Sequence, residues 1–85
     1  MAQTSSKVTV RVFARYVDLL GMTELSVPVD GSITVASVIA HVRRLPGGED
    51  LPERVLVAVN HSQADLAQVV GPGDEVALLP PMSGG

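Results

Sequence analysis

The sequence predicts one small α+β domain, in which a mixed sheet of four to five strands packs on one main helix. The chain has 85 residues, a length that suits a single domain with a modest core. Fifteen of these residues are valine, whose branched side chain packs well on a pleated sheet. Several short segments alternate apolar and polar residues, whereas one segment has strong helical spacing.

The first predicted elements are a strand and a short helix. Residues 1–6 are mostly polar and indicate a flexible leader. Residues 7–13 alternate, which predicts a half-buried strand with three valines on its apolar face: Val8, Val10 and Val12. Residues 14–20 predict a short helix that ends at Gly21, because glycine readily adopts the left-handed conformation of a helix C-cap.

A second strand and the main helix follow. Residues 25–29 alternate again, and Pro28 predicts an edge strand because proline cannot donate a hydrogen bond to a neighbouring strand. Thr34 or Ser32 can cap the next helix. That helix presents one apolar stripe, formed by Val35, Val38, Ile39, Val42 and Leu45. The sequence Pro-Gly-Gly at residues 46–48 ends it.

The second half contains the remaining strands. Residues 54–59 are so rich in valine that we expect a strand buried on both faces. Asn60 can turn the chain in the left-handed conformation, and a brief strand or turn follows at residues 62–66. A strong turn signal at residues 71–74 precedes the last predicted strand, residues 75–79.

Composition excludes several kinds of site. Cysteine is absent, so the chain has no disulfide, thiolate metal ligand or cysteine nucleophile. The net charge of −3 and the presence of two aromatic residues argue against a nucleic-acid partner. No apolar run suits a membrane span and the polar start lacks a signal-peptide core, so we expect a cytoplasmic protein without a membrane partner. His41 and His61 have no further ligand at metal spacing, so we expect no metal site.

The last six residues, 80–85, have the most informative pattern. Two prolines favour an extended stem that projects from the domain, and six extended residues reach on the order of 20 Å. Ser83, Gly84 and Gly85 have almost no side-chain bulk, so this end can thread a narrow channel in a partner. We therefore predict a domain at residues 7–79 followed by a functional tail. A polar terminus without a function is the alternative interpretation.

Several motifs together resemble one known family. Residues 73–85, Gly-Asp-Glu-Val-Ala-Leu-Leu-Pro-Pro-Met-Ser-Gly-Gly, look like the ending of that family. Val12-Phe13-Ala14 and Asp18-Leu19-Leu20-Gly21 are similar to its first strand and short helix, and Val57-Ala58-Val59-Asn60 is similar to a later strand and turn. The family is the small subunit of molybdopterin synthase, and the resemblance spans about residues 7–85. It implies the ubiquitin-like β-grasp fold.

The resemblance implies a sulfur carrier for molybdenum cofactor biosynthesis. In that family an adenylating enzyme related to ubiquitin E1 uses ATP to activate the C-terminal carboxylate, here that of Gly85. Sulfur from a persulfide then displaces AMP from the adenylate and leaves a thiocarboxylate. The large catalytic subunit of molybdopterin synthase receives the tail within a heterotetramer, where two such sulfurs build the dithiolene of molybdopterin. The chain itself would bind no cofactor and would not be catalytic alone, since no tail residue is an acid, a base or a metal ligand.

The resemblance also gives roles to residues near Gly85. The residues that would guide it through the partner's channel are Pro80, Pro81, Met82, Ser83 and Gly84. Phe13 and Leu79 are out of phase with the apolar positions of their strands, and large apolar residues occupy the matching positions in the family. If the first and last strands are neighbours, these side chains form a partner docking face near the tail. Local packing against loops is the alternative.

Three kinds of function fit these motifs. The first is a sulfur carrier for molybdopterin; carriers for thiamine or cysteine synthesis also end in Gly-Gly but usually lack the full Pro-Pro stem. The second is a ubiquitin-like modifier joined to lysines through Gly85, since it needs the same adenylation. Lys7 is the sole lysine, so the chain offers almost no acceptor for modifier polymers. The third is a passive β-grasp interaction module.

Overall fold

The computed structural model describes residues 6–80, so predictions for residues 1–5 and 81–85 lie outside the described part of the chain. In chain order the elements are β1 (Lys7–Val12), α1 (Arg15–Leu20), β2 (Glu24–Pro28), β3 (Ile33–Thr34), α2 (Val35–Arg43), a 3-10 helix (Gly48–Asp50), β4 (Leu56–Val59), β5 (Ser62–Ala64), β6 (Val69–Val70) and β7 (Glu75–Leu79). The predicted α+β class with one main helix is confirmed.

Five strands form the main sheet in the order β2-β1-β7-β4-β5. β1 and β7 run parallel, whereas the other neighbouring pairs in this sheet are antiparallel. β2 lies at an edge, as Pro28 predicts. β3 and β6 form a second, two-stranded sheet that the sequence analysis did not predict, because strands of two residues are too short to display alternation.

Valine supplies most of the core between the helix and the sheet. The residues that α2 buries are Val35, Val38, Ile39 and Val42. The buried residues of the facing strands are Val8, Val10, Val12, Val27, Val57, Val59, Val76 and Leu78. Full burial of one such side chain contributes about 1.5–3 kcal/mol, so each layer stabilises the other.

One end of each helix follows a predicted signal. The other end of α2 does not, because the helix ends at Arg43, before the predicted stop at residues 46–48, and Leu45 lies beyond it. The Thr34 hydroxyl oxygen accepts a hydrogen bond from the backbone N–H of Ser37 at 3.2 Å, which caps the start of α2. Gly21 ends α1 with a left-handed φ of 73°, a conformation that costs glycine little. Both caps therefore come from the residue types that the sequence placed there.

Tyr16 anchors α1 to the core. Its side chain is wholly buried, and its hydroxyl has no hydrogen-bond partner among the described residues. Burial raises the pKa of the phenol above its ordinary value of 10.0, although the positive charges of Arg15 and Arg43 oppose the shift. The phenol therefore remains neutral and acts as a large packing group.

β4 corrects one prediction of the sequence analysis. The strand begins at Leu56, and only its alternate residues Val57 and Val59 are buried, whereas Leu56 is exposed and Ala58 is half-buried. The prediction of burial on both faces was wrong because α2 covers one face of the sheet and leaves the other accessible. Valine content alone does not distinguish one-sided from two-sided burial.

Side-chain hydrogen bonds connect two turns beside Glu75, the first residue of β7. Asn60 Nδ2 donates to Asp74 Oδ1 at 3.1 Å, and Asn60 Oδ1 accepts from the backbone N–H of Glu75 at 3.0 Å. The backbone N–H of Gly71 donates to Asp74 Oδ2 at 2.8 Å. The bonds from Gly71 and from Asn60 lower the pKa of the Asp74 carboxyl. Asn60 itself has a left-handed φ of 49°, as predicted.

We expect Asp74 to contribute to the acid sensitivity of the fold. Its pKa in the folded chain lies below the unfolded value of about 3.9. The stabilisation is therefore complete above the unfolded pKa and is lost as the pH falls through the folded pKa. Asp74→Asn should lower the free energy of unfolding at neutral pH and flatten its decrease on acidification below about pH 5. Urea unfolding across this pH range measures the change.

Asp30→Asn is the matched control, because Asp30 is also a turn carboxylate but is exposed and accepts none of the side-chain hydrogen bonds found within residues 6–80. Asp30→Asn removes no such hydrogen bond, so it should lower the free energy of unfolding at neutral pH less than Asp74→Asn does. An Asp74→Asn variant with the same acid dependence as the parent chain would rule out this role of Asp74.

Candidate functional site

The parallel pairing of β1 and β7 determines where β7, the last described strand, ends. Parallel strands end at the same edge of a sheet, and the register Val12↔Leu78 places Phe13 beside Leu79. Both residues follow the solvent-facing phase of the sheet: Phe13 is 39% exposed and Leu79 is half-buried. Pro80 comes directly after this pair. The predicted adjacency of the two strands, and with it a shared face for Phe13 and Leu79, is therefore confirmed.

A shallow concavity of about 280 Å³ lies between these two side chains. Phe13 and Leu79 form its apolar wall, and Ala58 and Ala77, which are paired across β4 and β7, form its floor. The two alanines leave space where larger side chains would have filled the surface. The concavity therefore has the shape to accept an apolar side chain of a partner.

Charged side chains border the same concavity. Glu75 lies 3.7 Å from Arg11 (Oε2 to Nε) and 3.8 Å from His61 (Oε1 to Nε2). The Arg11 and His61 side chains are 49% and 81% exposed, and such exposed contacts contribute little to stability. Their consequence is instead that both signs of charge stand at the rim of an apolar depression, an arrangement typical of protein interfaces.

Sequence reasoning found part of this surface and missed part of it. It identified Phe13 and Leu79 from their phase. It missed Ala58 and Ala77 in the floor, and Leu56, which is paired with Leu79 across β4 and β7. The signal was present, because these three residues alternate with buried ones. For Leu56 and Ala58, the expectation that residues 54–59 are buried on both faces concealed it.

The remaining predicted site residues lie outside the described part of the chain. These residues, predicted to guide or carry the reacting group, are Pro81, Met82, Ser83, Gly84 and Gly85. Within residues 6–80, no three His, Asp or Glu side chains are grouped so that they can hold a metal ion. Over the same residues, no helix is long and apolar enough to cross a membrane.

Comparison with known proteins matches residues 10–85 to the ThiS family. The molybdopterin synthase sulfur carrier subunit of Arabidopsis thaliana is 31% identical over 83 residues, which cover 96% of this chain and 86% of that protein. Small archaeal modifier protein 1 of Haloferax volcanii is 34% identical over 84 residues, which cover 88% of this chain and 97% of that protein. The crystal structure of SAMP1 from Haloferax volcanii has a TM-score of 0.78 at 27% identity and covers 93% of this chain and 99% of that one. The ubiquitin-like β-grasp fold is confirmed.

Proposed function

The chain belongs to the ThiS family, and from that premise we propose that it is a sulfur carrier that donates sulfur for molybdopterin synthesis from a thiocarboxylate on Gly85. One observation carries the proposal: β7 ends at Leu79, which borders an apolar concavity together with Phe13, and the sequence continues from there as Pro-Pro-Met-Ser-Gly-Gly. A partner that docks on this face would have the tail beside it. The name of the Arabidopsis thaliana relative supports the molybdopterin role.

The chemistry requires the main-chain carboxyl of Gly85, because the chain has no cysteine to carry sulfur on a side chain. An adenylating partner related to ubiquitin E1 joins this carboxylate to the α-phosphate of ATP and releases pyrophosphate. A persulfide sulfur then attacks the activated carbonyl carbon and AMP leaves. Cleavage of the S–S bond by a second thiol leaves the terminal sulfur on Gly85 and forms a disulfide on the donor side.

The tail acts as a substrate arm in this proposal. Prolines favour an extended backbone, so Pro80 and Pro81 would project the arm, and Met82, Ser83 and Gly84 would pass through the channel of the large catalytic subunit in a heterotetramer. None of these side chains transfers protons at neutral pH, so the acids and bases of the reaction belong to the partners. The chain is the sulfur-donating subunit of a sulfurtransferase and is not catalytic alone.

Phe13→Arg should weaken binding to the large subunit and to the adenylating enzyme. Loss of one apolar anchor, together with the burial of a charge, should cost about 2 kcal/mol, or about thirtyfold in Kd. The free energy of unfolding should change by less than about 0.5 kcal/mol, because Phe13 lies outside the core. Isothermal titration calorimetry and urea unfolding measure the two quantities.

Val69→Arg is the matched control for this substitution. Val69 is 59% exposed and lies on β6, in the smaller sheet away from the concavity, so the variant should bind both partners normally. Comparable losses of partner affinity and of stability in Phe13→Arg would mean that Phe13 is a core residue rather than a docking residue.

A ubiquitin-like protein modifier is the second candidate, favoured by the 34% identity to small archaeal modifier protein 1. Both candidates share the adenylated Gly85 and differ in the acceptor. Reconstitution with the adenylating enzyme, ATP, a sulfur donor and the large subunit separates them. Molybdopterin formation supports the carrier, whereas isopeptide bonds from Gly85 to lysines of other proteins, without molybdopterin, support the modifier.

A further inference from the structure

His61 occupies a backbone position that suits glycine better than histidine. A two-residue turn joins β4 to β5, because Val59 pairs with Ser62 and only Asn60 and His61 lie between them. Both turn residues have a positive φ, 49° for Asn60 and 76° for His61. Hairpin turns of this type strongly favour glycine at the second position, since the left-handed conformation is unfavourable for residues with a Cβ atom. His61 therefore lowers the stability of this turn relative to glycine.

Contacts within the domain offset this cost for Asn60 but not for His61. The Asn60 side chain donates a hydrogen bond to Asp74 and accepts one from the backbone N–H of Glu75. The His61 side chain takes part in none of the side-chain hydrogen bonds found within residues 6–80. Its contact with Glu75, at 3.8 Å, is exposed and therefore weak. Residues held in an unfavourable backbone conformation cluster at binding sites, which directs attention to what surrounds the imidazole.

The His61 side chain forms one end of the concavity that Phe13 and Leu79 border. Leu79 is the last residue of β7, whereas His61 lies against Glu75, the first residue of that strand. Four residues separate Glu75 from Leu79, so the two ends of the concavity lie about 13 Å apart. A standard protein interface covers about 800 Å² of each partner, which corresponds to a patch about 30 Å across. A partner whose interface is centred on Phe13 and Leu79 therefore also covers His61.

The charged groups around the imidazole are already engaged with one another. Glu75 lies between His61 and Arg11, whose Nε is 3.7 Å from the second carboxylate oxygen of Glu75. Glu24 is paired with Arg11 across β2 and β1, and the Asp74 carboxylate accepts hydrogen bonds within the adjoining turns. The charges of Arg11 and Glu75 offset each other. What His61 adds to the concavity is therefore the surface of a flat ring rather than a charge.

We propose that His61 is the end wall of this concavity and packs its imidazole ring against an apolar side chain that the large catalytic subunit inserts there. The inference rests on the proposed function, because it takes the large subunit as the partner. Glu75, which Arg11 holds from the other side, keeps the ring over the sheet. The inserted side chain is then enclosed between the ring and the wall of Phe13 and Leu79. His61 thus limits the length of the side chain that fits, which makes it a specificity-determining residue.

His61→Gly should change stability and partner affinity in opposite directions. Glycine adopts a φ of 76° without a Cβ penalty, so the ratio of folded to unfolded chain should rise about fourfold, even after the greater freedom of glycine in the unfolded chain is counted. Loss of the ring opens one end of the concavity, so the Kd for the large subunit should rise about tenfold. Urea unfolding and isothermal titration calorimetry with the full chain measure the two quantities.

Three further variants separate the ring from the other properties of His61. His61→Phe keeps a flat ring without nitrogen atoms, so its Kd should stay within about threefold of the parent value. His61→Asn loses the ring while asparagine tolerates the left-handed conformation, so it should bind as weakly as His61→Gly. His41→Asn is the matched control, because His41 lies on α2, on the other side of the sheet and outside the concavity. It should bind the large subunit normally.

Binding of the parent chain tests the proposed function, and the variants test the role of His61. An unchanged Kd in His61→Gly, or binding of His61→Phe as weak as that of His61→Gly, would overturn this role and leave the carrier proposal intact. Equal losses of affinity in His41→Asn and His61→Asn would overturn it too, as would a lower stability of His61→Gly, which would show that the ring supports the fold. A parent chain that does not bind the large subunit would overturn both proposals.

Discussion

Deletion of Gly84 and Gly85 is expected to abolish sulfur transfer and to leave the free energy of unfolding unchanged. The described core lies within residues 6–80, and β7 ends at Leu79, so the deletion removes none of these contacts. It shortens the arm by about 7 Å and removes the carboxyl group that the proposal activates. Because misplacement by about 1 Å can cost about a hundredfold in rate, we expect at least that loss in molybdopterin formation with the partner enzymes.

Ser83→Ala is the control for the deletion, since it alters the tail without changing its length or its last two residues. It should retain sulfur transfer. Thermal unfolding of both variants should match that of the parent chain. A chain without Gly84 and Gly85 that still supports molybdopterin synthesis would end the carrier proposal.

Gly48→Ala is expected to destabilise the fold strongly. Gly48 is buried, and a Cβ there would overlap the carbonyl oxygen of Val42 and lie 2.9 Å from the carbonyl carbon. The clash is with the backbone of α2, so a side-chain rotation cannot relieve it. Overpacking typically costs about 1–3 kcal/mol, and an overlap with backbone should cost near the upper value, about 3 kcal/mol, which corresponds to a fall in Tm of about 12–24 °C for a domain of this size.

Gly71→Ala is the matched control for Gly48→Ala. A Cβ at Gly71 would lie 3.5 Å from the Gly31 carbonyl oxygen, an ordinary contact, and φ is not in the left-handed region. Its stability should change by no more than about 1 kcal/mol. Equal unfolding temperatures for Gly48→Ala and Gly71→Ala would contradict this prediction, because they would show that the backbone can shift at little cost to remove the overlap at Gly48.

The two Gly-Gly pairs of the chain therefore have different purposes. Gly47 and Gly48 permit close backbone contacts: a Cβ at Gly47 would overlap the carbonyl oxygen of Leu19, and its φ is 88°. Gly84 and Gly85 follow the last strand and, in the proposed function, supply a narrow reactive end. The sequence alone does not separate these cases, because Gly47 contacts α1, which is distant along the chain, and Gly48 contacts α2 only once the chain has folded back on the end of that helix.

Much of the fold could be predicted because its signals are local. Alternating valines identified the strands, Thr34 and Gly21 marked helix ends, and Pro28 identified an edge. The short sheet of β3 and β6 could not be predicted, since it depends on pairing between Thr34 and Val69, which are distant in sequence.

Residues of the candidate site could be predicted only where the alternation of side chains along a strand determines which face of the sheet they occupy. Phase alone identified Phe13 and Leu79 as solvent-facing. The floor of the concavity depends on the pairing of Ala58 with Ala77 across β4 and β7. It arises from which strands pair and in what register, which composition does not determine.

The central claim is that Gly85 becomes a thiocarboxylate, and intact-mass measurement tests it most directly. The chain is incubated with the E1-like adenylating enzyme, ATP and a sulfur donor, and fragmentation then locates any change. The carrier proposal predicts a mass gain equal to the exchange of one oxygen for one sulfur, confined to Gly85 and dependent on ATP. An unchanged mass, while the same enzyme and donor convert a known carrier, would contradict it.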